Sequence, residues 1–395
     1  MPFGVRNSPP FKPAEADASP ARKELDAALA SVDRAEALLP EITKAAETLA
    51  DRHVRGGLIG LPLYDQPLMQ EMYGRSGNIM HIGFDRGWKK DRAPDEERLD
   101  VVLVGYDRPH GKNDAAALKK FKDKGAWVLG IGPASLKHPA CDAWLDTGAE
   151  PGLRSTVANA VVAWALMAET VGACTRQGKM PTMFKSWAYD DGKAWSEPLF
   201  RKVPFHTDLR VAPVPAGELG RAFLRQIRYP LRRTDVGQLR SAAKLIGDEL
   251  KAGRKTTVAW QGHMPMCYVG KLGSEGWAVA AELHPFLDSQ IESYRKKTPD
   301  GGLVLSLGAN GLDPKGAAVW REKKQRVVHL AGDHPDPAWR RRDRLVDWID
   351  LGFAFGDACV TLDGYPIRLF APSGIAQAAA YGAIDAEVRA ADGHP

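Results

Sequence analysis

Three segments of this chain recur in the same order about 200 to 220 residues downstream, and that repetition limits what it can fold into. ETLADRHVRGGLIGLPLYD (47–65) returns in pattern as KLIGDELKAGRKTTVAWQGH (244–263), an amphipathic helix, a basic glycine turn and a buried strand. LDVVLVGYDRPHGKNDAAALKKFKDKGAWVLGIG (99–132) is echoed by GGLVLSLGANGLDPKGAAVWREKKQRVVHLAG (301–332). STVANAVVAWALMAE (155–169) aligns without a gap on SGIAQAAAYGAIDAE (373–387), sharing the first Ser and the last Glu. Chance accounts for any one pair. Ordered recurrence at a near-constant offset argues for two copies of one fold.

Within the first copy, short apolar runs at 56–64, 78–84, 99–106, 126–132 and 142–148 are bounded by Gly or charge and mostly separated by helical stretches. Short buried strands alternating with helices predict a parallel sheet covered on both faces. Apolar residues at spacings of three and four from Leu25 to Leu49, broken at Pro40, predict two helices before the first strand. The stretch 113–124 predicts a helix capped by Asn113 and stopped by Gly125. An apolar helix over 155–171 closes the unit, with Ser155, and Ser373 in the second copy, as its expected N-caps.

The boundaries follow as a flexible arm at 1–22, rich in Pro, Ala and Ser, a first domain at 23–175, a connector at 176–235 and a second domain at 236–395. With 54 Lys plus Arg against 49 Asp plus Glu, the formal charge of +5 is too small to imply a nucleic-acid partner. The basic runs FLRQIRYPLRR and WRRRDR space their cations like solvated helix faces or ion pairs. Four cysteines without CxxC spacing suggest neither a zinc site nor a disulfide framework, which fits a cytoplasmic protein. The N-terminus has no apolar leader core, and the longest apolar run, Val157 to Ala168, is too short to span a bilayer, so no membrane association is expected. GxGxxG after a strand, GxxxxGK[ST], GxSxG and HExxH are all absent, and no cofactor or resident metal is expected. The cluster His263, Met264, Met266 and Cys267 reads as core filler before it reads as a soft-metal site.

The order strand, polar loop, helix ending KxKGA, strand, then a Ser-Thr segment opening an apolar helix resembles the sugar isomerase (SIS) domain. Glu150, Gly152, Ser155 and Thr156 of EPGLRSTVANAVVAWALMAE fall on the family's E-x-G-V-A-S-T-K segment. The resemblance covers 45–175 and 240–390. It implies an α/β chain of two doubly wound, parallel-sheet, SIS-like domains (flavodoxin-like or Rossmann-like), assembled as a homodimer. It also implies a sugar or sugar-phosphate ligand and phosphosugar isomerase chemistry, with a non-catalytic sugar-phosphate sensor as the alternative.

In that family a loop S-x-S-G-x-S/T cradles the phosphate at a helix N-terminus. Here the loop runs Asp107, Arg108, Pro109, His110, Gly111, Lys112, Asn113, with no hydroxyl side chain, and Asp107 would repel a dianion. His110, Gly111, Lys112 and Asn113 are the replacement ligand contacts, joined by Ser155 and Thr156 and, in the second copy, by Gln261, His263 and Ser373. Isomerisation through an enediol needs a base and a ring-opening acid. Glu282 and His284, in a compressed version of the family's G-E-L-K-H-G-P segment read as a helix-to-loop stretch, are the expected pair, with Glu275 and Lys271 behind them.

Overall fold

The structure is a computed structural model that describes residues 17–61, 67–83, 99–260, 264–283, 288–308, 314–332 and 346–392. The first copy opens with helices α1 (Pro20–Ala37) and α2 (Leu39–Val54), Pro40 lying in the first turn of α2 where its missing N–H costs nothing. Then come β1 (Ile59–Gly60), α3 (Pro67–Met72), β2 (Ile82–Gly83), β3 (Val101–Gly105), α4 (Lys112–Asp123), β4 (Trp127–Gly132), β5 (Ala143–Asp146) and α5 (Leu153–Arg176). A short helix α6 (Gly192–Ser196) leads to α7 (Glu218–Arg233) and α8 (Val236–Lys251). The second copy continues with β6 (Thr256–Trp260), α9 (Pro265–Tyr268), β7 (Ala278–Glu282), α10 (Asp288–Lys297), β8 (Leu303–Leu307), α11 (Pro314–Glu322), β9 (Arg326–Ala331), β10 (Val346–Asp350) and α12 (Ser373–Ala391).

The two sheets run β2-β1-β3-β4-β5 and β7-β6-β8-β9-β10, the same permutation, with every pairing parallel. This is the flavodoxin-like order, whose switch point lies between β1 and β3 and between β6 and β8. The repeat therefore is two copies of one doubly wound fold. Gly132 and Gly332 close equivalent strand ends for one reason: a Cβ would meet the Tyr106 carbonyl oxygen at 2.7 Å in the first and the Phe353 ring at 2.2 Å in the second.

One apolar core runs through both copies, with Leu25 and Val32 of α1, Trp164 and Leu166 of α5, Phe223 of α7 and Tyr381 of α12 in the same cluster. Helix exchange explains the continuity. α1 packs on α12 of the opposite copy as well as on α5, and α7 packs on α5 of the first. The shared Glu that ends each closing-helix repeat makes the exchange symmetrical. Glu169 on α5 accepts the N–H groups of Gly217 and Gly220 at 2.7 Å each, at the start of α7. Glu387 on α12 accepts the N–H of Ala21 at 3.0 Å, at the start of α1. A carboxylate on an open helix N-terminus is favourable both as a hydrogen-bond acceptor and as a charge against the helix dipole.

Three local readings are corrected. α4 starts at Lys112 with Gly111 as N-cap, so Asn113 is inside the first turn, and the Asp114 carboxylate accepts the Gly111 N–H instead. α5 starts at Leu153 behind Gly152, and α12 starts at Ser373 behind Pro372, so neither Ser155 nor Ser373 is an N-cap. The apolar run around 157–168 belongs to a 24-residue helix, long and apolar enough by composition to cross a membrane, but buried along its length as the core helix of the fold. In the basic run of α7, Arg228 pairs with Asp33 and Glu36 of α1, which is an intramolecular ion pair between exchanged helices.

At the amino-terminal side of β1, His53 donates from Nδ1 to the Gly57 carbonyl at 2.9 Å and packs on His81 and Phe205. Burial, with His81 adding to it, lowers its pKa to about 4. The imidazole is thus neutral when folded and free to protonate when unfolded. Its stabilising share is complete above pH 6.5 and disappears as pH falls from 6.5 through 4, about 3 kcal/mol in all. Urea titrations of the wild type and His53→Gln at pH 7.5 and 4.5 should show the variant losing less stability across that interval. Equal losses would show that this residue does not set the acid limb.

Candidate functional site

The β3–α4 loop has closed on itself. Asp107 is 3% exposed, and its carboxylate accepts the Thr156 hydroxyl at 2.9 Å. Its carbonyl accepts the Gly152 N–H at 2.6 Å and the Ser155 hydroxyl at 3.2 Å, and Ser155 also donates to the Gly152 carbonyl. Burial raises the Asp107 carboxyl above the usual range, with the Thr156 hydrogen bond and Arg108 pulling it back. Ser155 and Thr156, expected as ligand contacts, are at 0% and 1% exposure and anchor the loop to α5.

His110 and Gly111 are exposed at the end of this loop. His110 meets His138 edge-on, ring centroids 4.5 Å apart, over the Tyr106 ring, which also stacks on Trp144. His138 Nδ1 accepts the Ala140 N–H at 3.1 Å, which fixes its proton on Nε2. Lys112 and Asn113 contribute backbone to the first turn of α4.

The loop's other side supports an open cleft. Gly152, φ +113°, turns the chain into α5 without a side-chain cap, leaving the helix N-terminus on the cleft wall beside Arg154. The cleft lies between the copies, holds about 520 Å³, and is bordered by Lys23 and Glu24 of α1, Glu150, and Gly382, Asp385 and Arg389 of α12. Arg154 bonds Glu24 at 2.6 Å and Glu150 at 3.1 Å, and these hydrogen bonds, first of all those to Glu24, raise its guanidinium pKa. Asp385 accepts the Trp277 indole N–H at 2.8 Å and pairs with Arg389 at 2.9 Å. Three cations and three carboxylates thus line a space large enough for a small polar metabolite.

Ser373 has a different fate from Ser155. Its hydroxyl donates to Asp357 at 2.8 Å and accepts from Arg75 at 2.7 Å. Arg75 also bonds Asp357 at 3.0 Å and Glu71 at 3.4 Å, and Glu71 accepts the Trp164 indole N–H at 2.9 Å. All are buried, so Ser373, expected as a ligand contact, lies in an internal charge cluster joining the copies. Burial raises the carboxyls of Glu71 and Asp357, with Arg75 opposing it.

Glu282 ends β7, an edge strand, in register with Trp260 of β6, and is exposed; the segment is a strand and not the expected helix-to-loop stretch. Glu275 and Lys271 are exposed as well, Glu275 accepting the Gly273 N–H and Lys271 donating to the Met266 carbonyl. Gln261, His263 and His284 lie outside the described residues. Among the described residues no group of three or more His, Cys, Asp or Glu is placed to hold a metal ion. Sequence reasoning missed Lys23, Arg154, Asp385 and Arg389. The only signal pointing there was the EPGLRST segment, whose Gly and Arg turn out to face the cleft.

No sequence-family profile matches the chain, and no curated protein matches it in sequence. Solved structures match it in fold. The C-terminal domain of glucosamine-fructose-6-phosphate aminotransferase from Francisella tularensis superposes with a TM-score of 0.54 at 9% identity, over 97% of this chain and 100% of that one. A protein assigned as a tagatose-6-phosphate ketose/aldose isomerase from Clostridium novyi NT gives 0.53 at 9% identity, over 95% and 88%. One assigned as a sugar-binding protein from Salmonella typhimurium LT2 gives 0.52 at 10%, over 94% and 98%. At such identities the likeness is one of fold, and the fold is the tandem SIS-like arrangement that the sequence resembles.

Proposed function

We propose that this tandem SIS-like chain binds a sugar phosphate in the cleft between its two copies and acts as a ligand-responsive regulator. The observation that carries the reading is the cleft itself, with Lys23, Arg154, Arg389 and the uncapped start of α5 offering positive charge to a phosphate. Glu24, Glu150 and Asp385 supply acceptors for sugar hydroxyls. The regulatory role is favoured because the loop that would cradle phosphate at the first switch point is occupied by Asp107. The fold neighbours include both a protein assigned as sugar-binding and one assigned as an isomerase, so the shared scaffold accommodates either role.

Glucose 6-phosphate, fructose 6-phosphate and glucosamine 6-phosphate are the first ligands to test. At a hundredfold excess over Kd a ligand adds about 2.7 kcal/mol of stability, a rise of several degrees in melting temperature. Arg154→Ala should weaken binding about 10-fold or more through the lost charge-assisted contact. A panel in which no sugar phosphate raises the melting temperature would sink the proposal.

The isomerase reading rests on Glu282, which ends β7 next to β6 at the carboxyl side of the second sheet, where open α/β sheets bind ligands. In it Glu282 moves the proton between adjacent carbons and His284 serves ring opening. Incorporation of solvent deuterium into a bound sugar phosphate, lost in Glu282→Gln, would favour it over the regulator; no incorporation by the wild type would remove it.

A further inference from the structure

The two copies are symmetrical in topology but not at the position of the cleft. The gapless repeat that sets Ser155 against Ser373 sets Trp164 against Gly382, and three residues before those serines it sets Gly152 against Phe370. Both of the latter have positive φ, +113° and +64°, which supports that register. The paired helix caps extend the register to the exchanged helices. Glu169 binds Gly220 where Glu387 binds Ala21, so Glu24 of α1 corresponds to Phe223 of α7.

Three residues of the cleft wall therefore have aromatic counterparts. Gly152 and Glu24 are half-buried on the cleft wall, and Gly382 lies buried behind Leu153 in the same wall. Phe370, Trp164 and Phe223 meet one another with ring centroids 6.2 to 6.4 Å apart, and each is fully buried. Beneath them Glu71 takes the Trp164 N–H and lies against Gly374, where a Cβ would come within 2.2 Å of its carboxylate. Aromatic rings and a charge cluster fill what is solvent-accessible volume on the other side.

We infer that each chain carries one ligand seat, at Gly152 and Gly382, and that the equivalent seat of the opposite copy is sealed by Trp164, Phe223 and Phe370. This rests on the cleft being the ligand site. Gly382 is then the residue that keeps the seat open, because a side chain there enters the cleft. A Cβ meets only the flexible end of Leu153, at 3.1 Å, so alanine is accommodated and tryptophan reproduces the seal.

Isothermal titration of the full chain with fructose 6-phosphate should give one site per chain. Gly382→Ala should retain binding, and Gly382→Trp, checked for an unchanged circular dichroism spectrum, should weaken it at least 100-fold. A second measurement needs no ligand. In separate variants a maleimide should modify Ala386→Cys, half-buried on the cleft wall, read by peptide mass spectrometry, while Ala371→Cys, fully buried beside Phe370, stays protected. Two sites per chain, undiminished binding by a folded Gly382→Trp, or equal labelling of the two cysteines would each overturn the inference. If no sugar phosphate binds the wild type, the sugar-phosphate reading fails, and the labelling contrast still decides whether one seat is open and the other sealed.

Discussion

Arg75→Ala should destabilise the protein by about 3 to 5 kcal/mol, because it removes the guanidinium that pairs with two buried carboxylates. Glu71 and Asp357 are 0% and 3% exposed and cannot recruit water without opening the seam between the copies. The pH dependence separates this cause from lost packing. Burial already holds both carboxyls above their ordinary values, and losing Arg75 raises them further. A carboxyl with a raised folded pKa stabilises the fold below its unfolded value and forfeits that contribution as pH rises through the folded one. The deficit of Arg75→Ala should therefore be smallest near pH 4 and grow toward neutrality. Combining Arg75→Met with Glu71→Gln and Asp357→Asn should recover most of the loss, since a buried ion cluster is replaceable by neutral groups of similar volume. Urea denaturation at several pH values reads all of this. A deficit independent of pH, or below 1 kcal/mol, would show that the cluster does not hold the copies together.

The fold was legible because its signals are local and repeated. Runs such as VVLVG and LVLSL are too short and too apolar to be anything but buried strands between helices, and their common order in both halves implied a common topology. Cap positions were less legible. Ser155 and Asn113 are good N-cap residues, but glycines at 152 and 111 hold the cap positions, and Asp107 competes successfully for the Ser155 and Thr156 hydroxyls. That competition depends on a contact across 48 residues, which no local pattern records. The cleft was hidden for a similar reason. Lys23, Arg154 and Arg389 sit on three helices far apart in sequence, each reading alone as a solvated charge, and only the exchange of α1 onto α12 gathers them. Trp164 against Gly382 was visible in the repeat, but a ring facing a hydrogen has no meaning until both sides of the seam are known.

Glu169→Ala should cost about 3 to 5 kcal/mol, and Glu387→Ala only about 1, although the two glutamates occupy the same place in the repeat. Both receive the start of an exchanged helix, so sequence equivalence predicts equal effects; burial breaks the tie. Glu169 is 0% exposed and holds the Gly217 and Gly220 N–H groups and, at 3.2 Å, the Thr43 hydroxyl of α2. Without it the Gly217 and Gly220 N–H groups are stranded on buried residues, and each stranded group costs about 1 to 3 kcal/mol, while the half-exposed Thr43 hydroxyl can turn to water. The Glu387 side chain is 15% exposed and holds one N–H, with Arg240 at 3.8 Å, so solvent can replace much of what it provides. Glu169→Gln tests the charge separately. It keeps the volume but turns one acceptor into a donor facing an N–H, so it should recover less than half of the loss. The close approach of α7 explains why the shape matters as well: a Cβ on Gly220 would lie 3.0 Å from the Glu169 carboxylate and 2.8 Å from Leu39. Gly220→Ala should accordingly destabilise the same junction while leaving the carboxylate in place. Equilibrium unfolding of the four variants orders these effects. Equal losses at 169 and 387 would mean that helix-dipole compensation, common to both sites, outweighs the buried hydrogen bonds that distinguish them.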